Sequence, residues 1–344
     1  MKILLITTSY NGLCQNIHDE LLLLEHEVSI EFAISSKHMI EAVDLFNPEL
    51  IICPFLKQKI PKDIWENNKC IVIHPGIIGD RGPSSLDWAI HEKKEQWGVT
   101  AIQANQDMDA GDIWSSSNFT MRKSFKASIY RKEISKHAIQ VLHEVLKNIK
   151  DSNFIPETLD YKKAHVKGEL KPLMIQKDRQ INWQTDDTDT IINKVNAADS
   201  FPGVLTLLFD EQYFLFGVHK EGTLKANAGE IVGRRHGAIC IATIDGAVWI
   251  SHLRKNEKNS FKLPSAVLLK NKLQGIYEQR IPLLLEEDIE TFKEIYYEQK
   301  NEVGYLYFDF HNGAMSIEQC VRLKYAYELA VQKDIQVLVL MGGS

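Results

Sequence analysis

The sequence predicts an α/β fold: a doubly wound parallel-sheet domain, then a small β-barrel of OB-like type, then the start of a third module. Three observations carry that reading. Short apolar runs alternate with helical spacing through the first fifty-odd positions, a βαβαβ rhythm. Four short strand-like stretches between 212 and 252 are separated by turn pairs such as Asp245-Gly246, which suits a small barrel. A strand-helix-strand unit then follows from Val303 to Met341. A chain of 344 residues is too long for one ordinary core. The boundaries read as 1–160, 161–275 and 276–344.

In chain order, Met1 to Thr8 is a compact apolar run suited to a strand buried on both faces. Ser9 to Gly12 is a turn, and Leu13, Ile17, Leu21 and Leu24 mark a helix. Val28 to Phe32 alternates as a strand, Met39 to Phe46 is helical, and Leu50 to Pro54 is a third strand. The first turn has no GxGxxG, so a dinucleotide site lacks its fingerprint. Ser128 to Lys150 is an amphipathic helix, and Asp151 to Gly168 reads as a polar linker. Further helices are expected at Thr188 to Ala198, at the acidic stretch Leu284 to Tyr297, and at Ile317 to Val331. Strands are expected at Gln212 to Val218, Gly229 to Gly233, Ala238 to Thr243 and Ala247 to His252.

Composition narrows the partners. Hydrophobic residues at 44% and charged residues at 25% are those of a soluble globular protein. A formal net charge of −6 gives no reason to expect nucleic acid or an anionic membrane, and Arg234-Arg235-His236 is too short a basic cluster to change that. Cys14, Cys53, Cys70, Cys240 and Cys320 show neither CxxC spacing nor a disulfide framework, so they read as reduced cytoplasmic thiols. No stretch approaches membrane-spanning length, and the N-terminus lacks a signal-peptide pattern.

The chemistry concentrates between Cys70 and Trp114. Ile71-Val72-Ile73 is a short buried strand with His74 at its end, followed by a loop rich in turn formers: Pro75, Gly76, Gly79, Asp80, Gly82, Pro83, Ser84 and Ser85. Leu86 to His91 is the helix leaving that loop. Gly98 to Asn105 is a second strand that delivers Asp107, Asp109 and Asp112 on a glycine-containing turn. Ligands of open α/β sheets sit outside the carboxyl ends of strands, so a His and an Asp from two strand ends can meet across one cleft. Such a pair moves protons near neutral pH, because the carboxylate favours imidazolium and fixes its orientation. Local pattern alone leaves the plainer alternative open: a strand-end His bonded to backbone and a turn Asp capping its own loop.

Specific residues add a resemblance. Val72-Ile73-His74-Pro75, Arg81-Gly82, Trp88-Ala89-Ile90, Gly98-Val99-Thr100 and Met108-Asp109-Ala110-Gly111 resemble the motif of the folate-dependent formyltransferases. Ile181-Asn182-Trp183 and Phe201-Pro202-Gly203 are similar to their smaller C-terminal domain. The resemblance implies catalytic roles for His74 and Asp109. The family's Asn is absent, its place taken by Val72, and its leucine-proline run is replaced by Gly76-Ile77-Ile78-Gly79. The resemblance further implies that Phe55, Leu56, Pro75, Gly76, Arg81, Gly82, Ser84, Ser85, Gln103, Asp107 and Asp112 border the substrates. No metal is implied.

The variant HPGIIGDRGPSSLDWAI and the segments around His236 and Asp245 resemble the hydrogenase-maturation branch of that family. In that branch a formyltransferase module is joined to a crotonase-like module, which FDFHNGAMS and the strand-helix-strand around it resemble in part. His236 itself reads as a surface turn residue. The branch implies 10-formyltetrahydrofolate as formyl donor and coenzyme A as acceptor. It implies formyl transfer as the first step towards the carbon monoxide ligand of nickel–iron hydrogenases, with the hydrogenase large subunit or its maturation proteins as partners. The oxyanion donors of a crotonase fold would lie past Ser344, so the chain reads as a truncated product or a fragment without the second, carbon monoxide-releasing reaction. The rival expectations are formylation of an amine, a sugar-nucleotide or methionyl-tRNA, and a non-catalytic folate-binding or hydrogenase-docking module.

Overall fold

In the computed structural model the described residues are 1–285, 289–310 and 313–343. They fall into two units, Met1–Ile175 and Gln176–Ser344.

The first unit is built on strands β1 (Lys2–Thr7), β2 (Glu27–Phe32), β3 (Leu50–Cys53), β4 (Cys70–His74), β5 (Gln96–Gln103) and β6 (Ile113–Thr120), in the order β2-β1-β3-β4-β5-β6. Helices α1 (Gly12–Leu23) and α2 (Ser36–Phe46) begin where polar side chains accept from their first-turn amides, Asn11 from Cys14 and Ser35 from His38. Residue alternation divides the sheet. Leu4, Ile6, Ile51, Cys53 and Cys70 face Met39 and Val43 of α2 and Ile64 of α3 (Lys62–Asn67), so their neighbours along each strand face the opposite side. Helix α4 (Ser85–His91) follows the loop after His74. A continuous helical run at 126–150, labelled α5, contains one π-type turn at Tyr130–Ile134 and packs on α1, β5 and β6.

Two expectations are corrected here. The sheet is mixed rather than all parallel: β1, β2, β3 and β4 are parallel, but β5 runs antiparallel to β4 and β6 antiparallel to β5. The polar stretch 151–168 is not a free linker. Glu157 pairs with Ile113, the Gly168 amide donates to the Ile78 carbonyl, and Arg81 exchanges backbone bonds with Glu169 and Lys171. Composition could not reveal this, because backbone groups do the pairing.

The second unit opens with α6 (Gln176–Arg179) and α7 (Thr188–Ala197), the latter capped by Asp187. Its antiparallel sheet runs β7 (Val204–Leu208), β8 (Glu211–Glu221), β11 (Ala247–Lys255), β10 (Ala238–Ala242), β9 (Ile231–Arg235), with the two-residue β12 (Leu263–Pro264) paired to β11 and leading into α8 (Ser265–Leu269). A further three-stranded sheet joins β13 (Ile295–Lys300), β14 (Val303–Phe308) and β15 (Val337–Gly342) in that order, with α9 (Ile317–Ala330) crossing between the parallel pair β14 and β15. The acidic helix expected from Leu284 to Tyr297 is corrected: Ile295 to Tyr297 open strand β13, where Tyr296 stacks on Tyr307 at 4.5 Å. Residues 286–288 of that stretch, and His311 and Asn312 of FDFHNGAMS, lie outside the described residues.

Buried Glu221 ties this unit together. It accepts from the Trp249 indole N–H at 2.7 Å, the Thr291 hydroxyl at 2.5 Å, and the Thr223 amide and hydroxyl. Arg235 lies over the Trp249 ring and donates to the Phe292 carbonyl and the Thr291 hydroxyl. Glu221→Ala would strand several buried donors, each costing about 1–3 kcal/mol. A drop of at least that size in unfolding free energy is expected from a urea titration.

The five cysteines are unpaired, four of them buried and Cys320 exposed. Among the described residues no helix is long and apolar enough to cross a membrane.

Candidate active site

Strand β4 ends at His74 because the Pro75-Gly76 turn follows, and three hydrogen bonds then fix the departing backbone. The Ser85 hydroxyl and the Trp97 indole N–H both donate to the Pro75 carbonyl, at 2.7 and 2.8 Å. The Thr100 hydroxyl donates to the Gly76 carbonyl at 2.8 Å. The loop then folds back over the imidazole. Its Asp80 carboxylate lies 2.7 Å from His74 Nε2, with the two side chains only 5% and 3% exposed. Gly76 makes room for the pair: a Cβ there would stand 2.3 Å from Asp80 Oδ2 and 2.5 Å from His74 Nε2.

Asp109 approaches the other ring nitrogen, its Oδ2 3.6 Å from Nδ1. It does not come from a neighbouring strand end of the same sense. Because β5 is antiparallel to β4, its last residue Gln103 pairs with Ile71, while His74 pairs with Thr100. The loop 104–112 must therefore double back along β4. It does so with Asp109 at φ 52 and Gly111 so close to Gln103 that a Cβ would lie 1.8 Å from its carbonyl oxygen. The Gly82 amide donates to Asp109 Oδ2 at 3.1 Å, and Arg81 Nε donates to the Met108 carbonyl at 2.9 Å, so the two loops hold each other.

Other anticipated site residues are distributed less tightly. Gln103 accepts from the Trp114 indole at 3.1 Å, and the Asp112 carbonyl accepts from the Gln103 amide. Asp107 is exposed, its amide held by Asn105. Among the described residues the carboxylates within 4 Å of His74 are Asp80 and Asp109, so Asp107 and Asp112 do not join the cluster. Ser84 is buried and its Oγ accepts from the Met174 amide. Phe55 meets Tyr130 edge-on at 6.4 Å, and Leu56 and Val72 are partly buried residues packed against the apolar cluster of Leu4, Ile51 and Met39. Val72 thus supplies no polar group. His236 lies in the turn between β9 and β10. It is half-buried with φ 48, and burial, then Arg322 and Arg235, push its pKa down to about 4.

Asp80 is the residue that sequence reasoning missed, taken only as a turn former. Its signal was faint: three glycines within the loop allow the chain to reverse onto the histidine six positions earlier.

Burial disfavours a charged His74, but the charge of Asp109 and then the hydrogen bond and charge of Asp80 outweigh it, so its pKa is raised. A raised folded value means stability that is fully present below the ordinary value near 6.5 and lost as pH rises through the folded value. The stability gap between the wild type and His74→Gln, read by urea titration, is expected to be constant in acid and to narrow above neutral pH.

A buried imidazolium held by two carboxylates can donate to a carbonyl oxygen and return a proton to a leaving nitrogen. Among the described residues no group of three or more His, Cys, Asp or Glu side chains is arranged to hold a metal ion.

Comparison with known proteins identifies the family. The chain is 39% identical over its whole length to the hydrogenase maturation factor HoxX of Bradyrhizobium diazoefficiens, spanning 59% of that protein. It superposes with a TM-score of 0.94 on a crystal structure of HypX from Aquifex aeolicus in complex with tetrahydrofolic acid, at 41% identity, covering 100% of this chain and 60% of that one. A methionyl-tRNA formyltransferase of Caldicellulosiruptor saccharolyticus is 25% identical over 228 residues, 64% of this chain and 70% of that one. The formyl transferase family model matches residues 15–146, and the model of the formyl transferase C-terminal domain matches 174–267. With both domains present in order, and likeness to HoxX and HypX running through its full length, this chain belongs to the formyltransferase family.

Proposed function

We propose that this chain moves a formyl group from 10-formyltetrahydrofolate to the thiol of coenzyme A, in the cytoplasm. The observation that carries the reading is the buried His74 between Asp80 and Asp109, at the end of β4 and beneath two mutually bonded loops. The tetrahydrofolate-bound HypX relative supports the donor. The thioester product would be the one-carbon precursor for the carbon monoxide ligand of nickel–iron hydrogenases, with the hydrogenase large subunit or a maturation protein receiving it. In this reading residues 161–275 correspond to the OB-like formyltransferase C-terminal barrel, and residues 276–344 to the opening of a crotonase-like module.

The chemistry is an acyl transfer. The thiol attacks the formyl carbon, and the oxygen that becomes negative is met by an imidazolium N–H of His74. Collapse breaks the carbon–nitrogen bond while His74 protonates the folate nitrogen. Val72 removes the amide donor that related enzymes possess, and one oxyanion donor elsewhere is worth on the order of 100- to 1000-fold in rate. A thiol acceptor tolerates such a site, because a thiolate is intrinsically more nucleophilic than an amine or hydroxyl. A net charge of −6 argues in the same direction, against the polyanion tRNA as acceptor.

The test is direct. The purified chain is incubated with 10-formyltetrahydrofolate and coenzyme A, and the formyl thioester is trapped with hydroxylamine. Thioester formation that depends on both substrates is the expected result. Folate binding without turnover would replace this reading with a non-catalytic module.

A further inference from the structure

The two carboxylates beside His74 are not equivalent. Asp80 makes a hydrogen bond of 2.7 Å to Nε2, whereas Asp109 stands 3.6 Å from Nδ1, beyond hydrogen-bonding distance. The Asp109 side chain is 12% exposed against 3% for Asp80, so the more open side of the ring is the Asp109 side. Asp80 is also the more firmly held. Its amide donates to the Ile77 carbonyl, and the Tyr161 hydroxyl donates to the Gly79 carbonyl beside it. On either side, the Gly168 amide bonds the Ile78 carbonyl and the Arg81 amide bonds the Glu169 carbonyl. The segment 161–171 therefore lies as a strap along the loop that carries Asp80.

We propose that Asp80 is the positioning residue of the imidazole and that Asp109 is the carboxylate that faces the acceptor and takes its proton. The proposal rests on the formyl-transfer reading and assigns the proton path within it. With Nε2 committed to Asp80, Nδ1 is the nitrogen that meets substrate, and the 3.6 Å gap to Asp109 lets one reacting group touch both. Apo hydrogen bonds of this kind commonly tighten only in the complex. The acceptor S–H proton passes to Asp109 as sulfur bonds the formyl carbon. The Nδ1 proton passes to the folate nitrogen as the carbon–nitrogen bond breaks, and the Asp109 proton returns to Nδ1. Acceptor and donor exchange one formyl group for one proton, and the site ends as it began.

Asp80→Asn and Asp109→Asn, made in the full chain, are each read in two ways. The first readout is formyl transfer to coenzyme A across a pH range. The second is the Nε2 proton and nitrogen resonance of His74 without substrate, assigned by its absence in His74→Gln. Asp109→Asn is expected to lower transfer by on the order of 100-fold or more, with the Nε2 resonance sharp and little moved. Asp80→Asn is expected to shift that resonance upfield, since a charge-assisted bond is lost, and to move the basic limb of the rate profile to lower pH. Among the described residues the ionisable groups facing the ring are Asp80 from one loop and Asp109 from the other, so one remains in each variant. The reverse pattern, with the resonance kept in Asp80→Asn and lost in Asp109→Asn, overturns the assignment. Should Asp80→Asn not fold, Asp80→Ser, which also removes the carboxylate, replaces it, and an unshifted Nε2 resonance there overturns the proposal equally. If the wild type transfers no formyl group, the function reading fails while the resonance still decides Asp80.

Discussion

Replacing His74 by alanine is expected to lower formyl transfer by on the order of 100- to 10,000-fold, the usual range for a group that moves a proton in the transition state. No neighbour can take its place. Val72 is apolar and packed into the core cluster, and Arg81 Nε is already bonded to the Met108 carbonyl. The same change leaves Asp80 and Asp109 facing an empty space without their shared cation. A loss of about 1–3 kcal/mol of stability is expected with it, from carboxylates that have lost a buried partner. The two effects separate by experiment: His74→Gln restores a hydrogen-bond donor of similar reach and should recover part of the stability but none of the proton transfer. Thioester formation by either variant within threefold of the wild-type rate would remove His74 from the mechanism.

Parts of this architecture were legible because they are written in apolar spacing. The runs at Lys2–Thr7, Leu50–Cys53 and Cys70–His74 are continuous and short, which only buried strands satisfy here, and His74 follows directly as the first residue able to be polar. Strand direction is not written that way. The β5 sequence QWGVTAIQ reads the same whether its neighbour runs parallel or antiparallel, so the mixed sheet and the returning 104–112 loop were invisible. Strand β6, IWSSSNFT, is polar because one face of this edge strand is exposed, and its alternation is too weak to announce itself. At Ile295–Lys300 the acidic residues upstream suggested a helix, but Tyr296 and Tyr297 favour a strand once Tyr307 and Leu306 lie opposite them. Asp80 belongs to another class. Its role depends on a tertiary hydrogen bond closing across a loop, and no local periodicity records that.

Gly168→Ala is expected to reduce transfer by on the order of 100-fold although residue 168 touches no substrate in this mechanism, since misplacing a catalytic group by about an ångström costs that much. A Cβ at 168 would stand 1.8 Å from the Asp80 amide nitrogen, 2.3 Å from the Gly79 carbonyl carbon and 2.5 Å from the Asp80 Cα. All three are backbone atoms, so no side chain can swing aside. Either the strap lifts, breaking the bond from the Gly168 amide to the Ile78 carbonyl, or the loop moves and carries Asp80 away from Nε2. Gly12→Ala is the matched control: that glycine lies in the first turn of α1 with nothing within 4 Å, and alanine there should be neutral or slightly stabilising. Steady-state transfer and a thermal melt on both variants make the comparison. A Gly168→Ala enzyme with normal turnover and normal melting would show that the loop accommodates the methyl group without moving the carboxylate, and the strap would then lose its part in holding the imidazole.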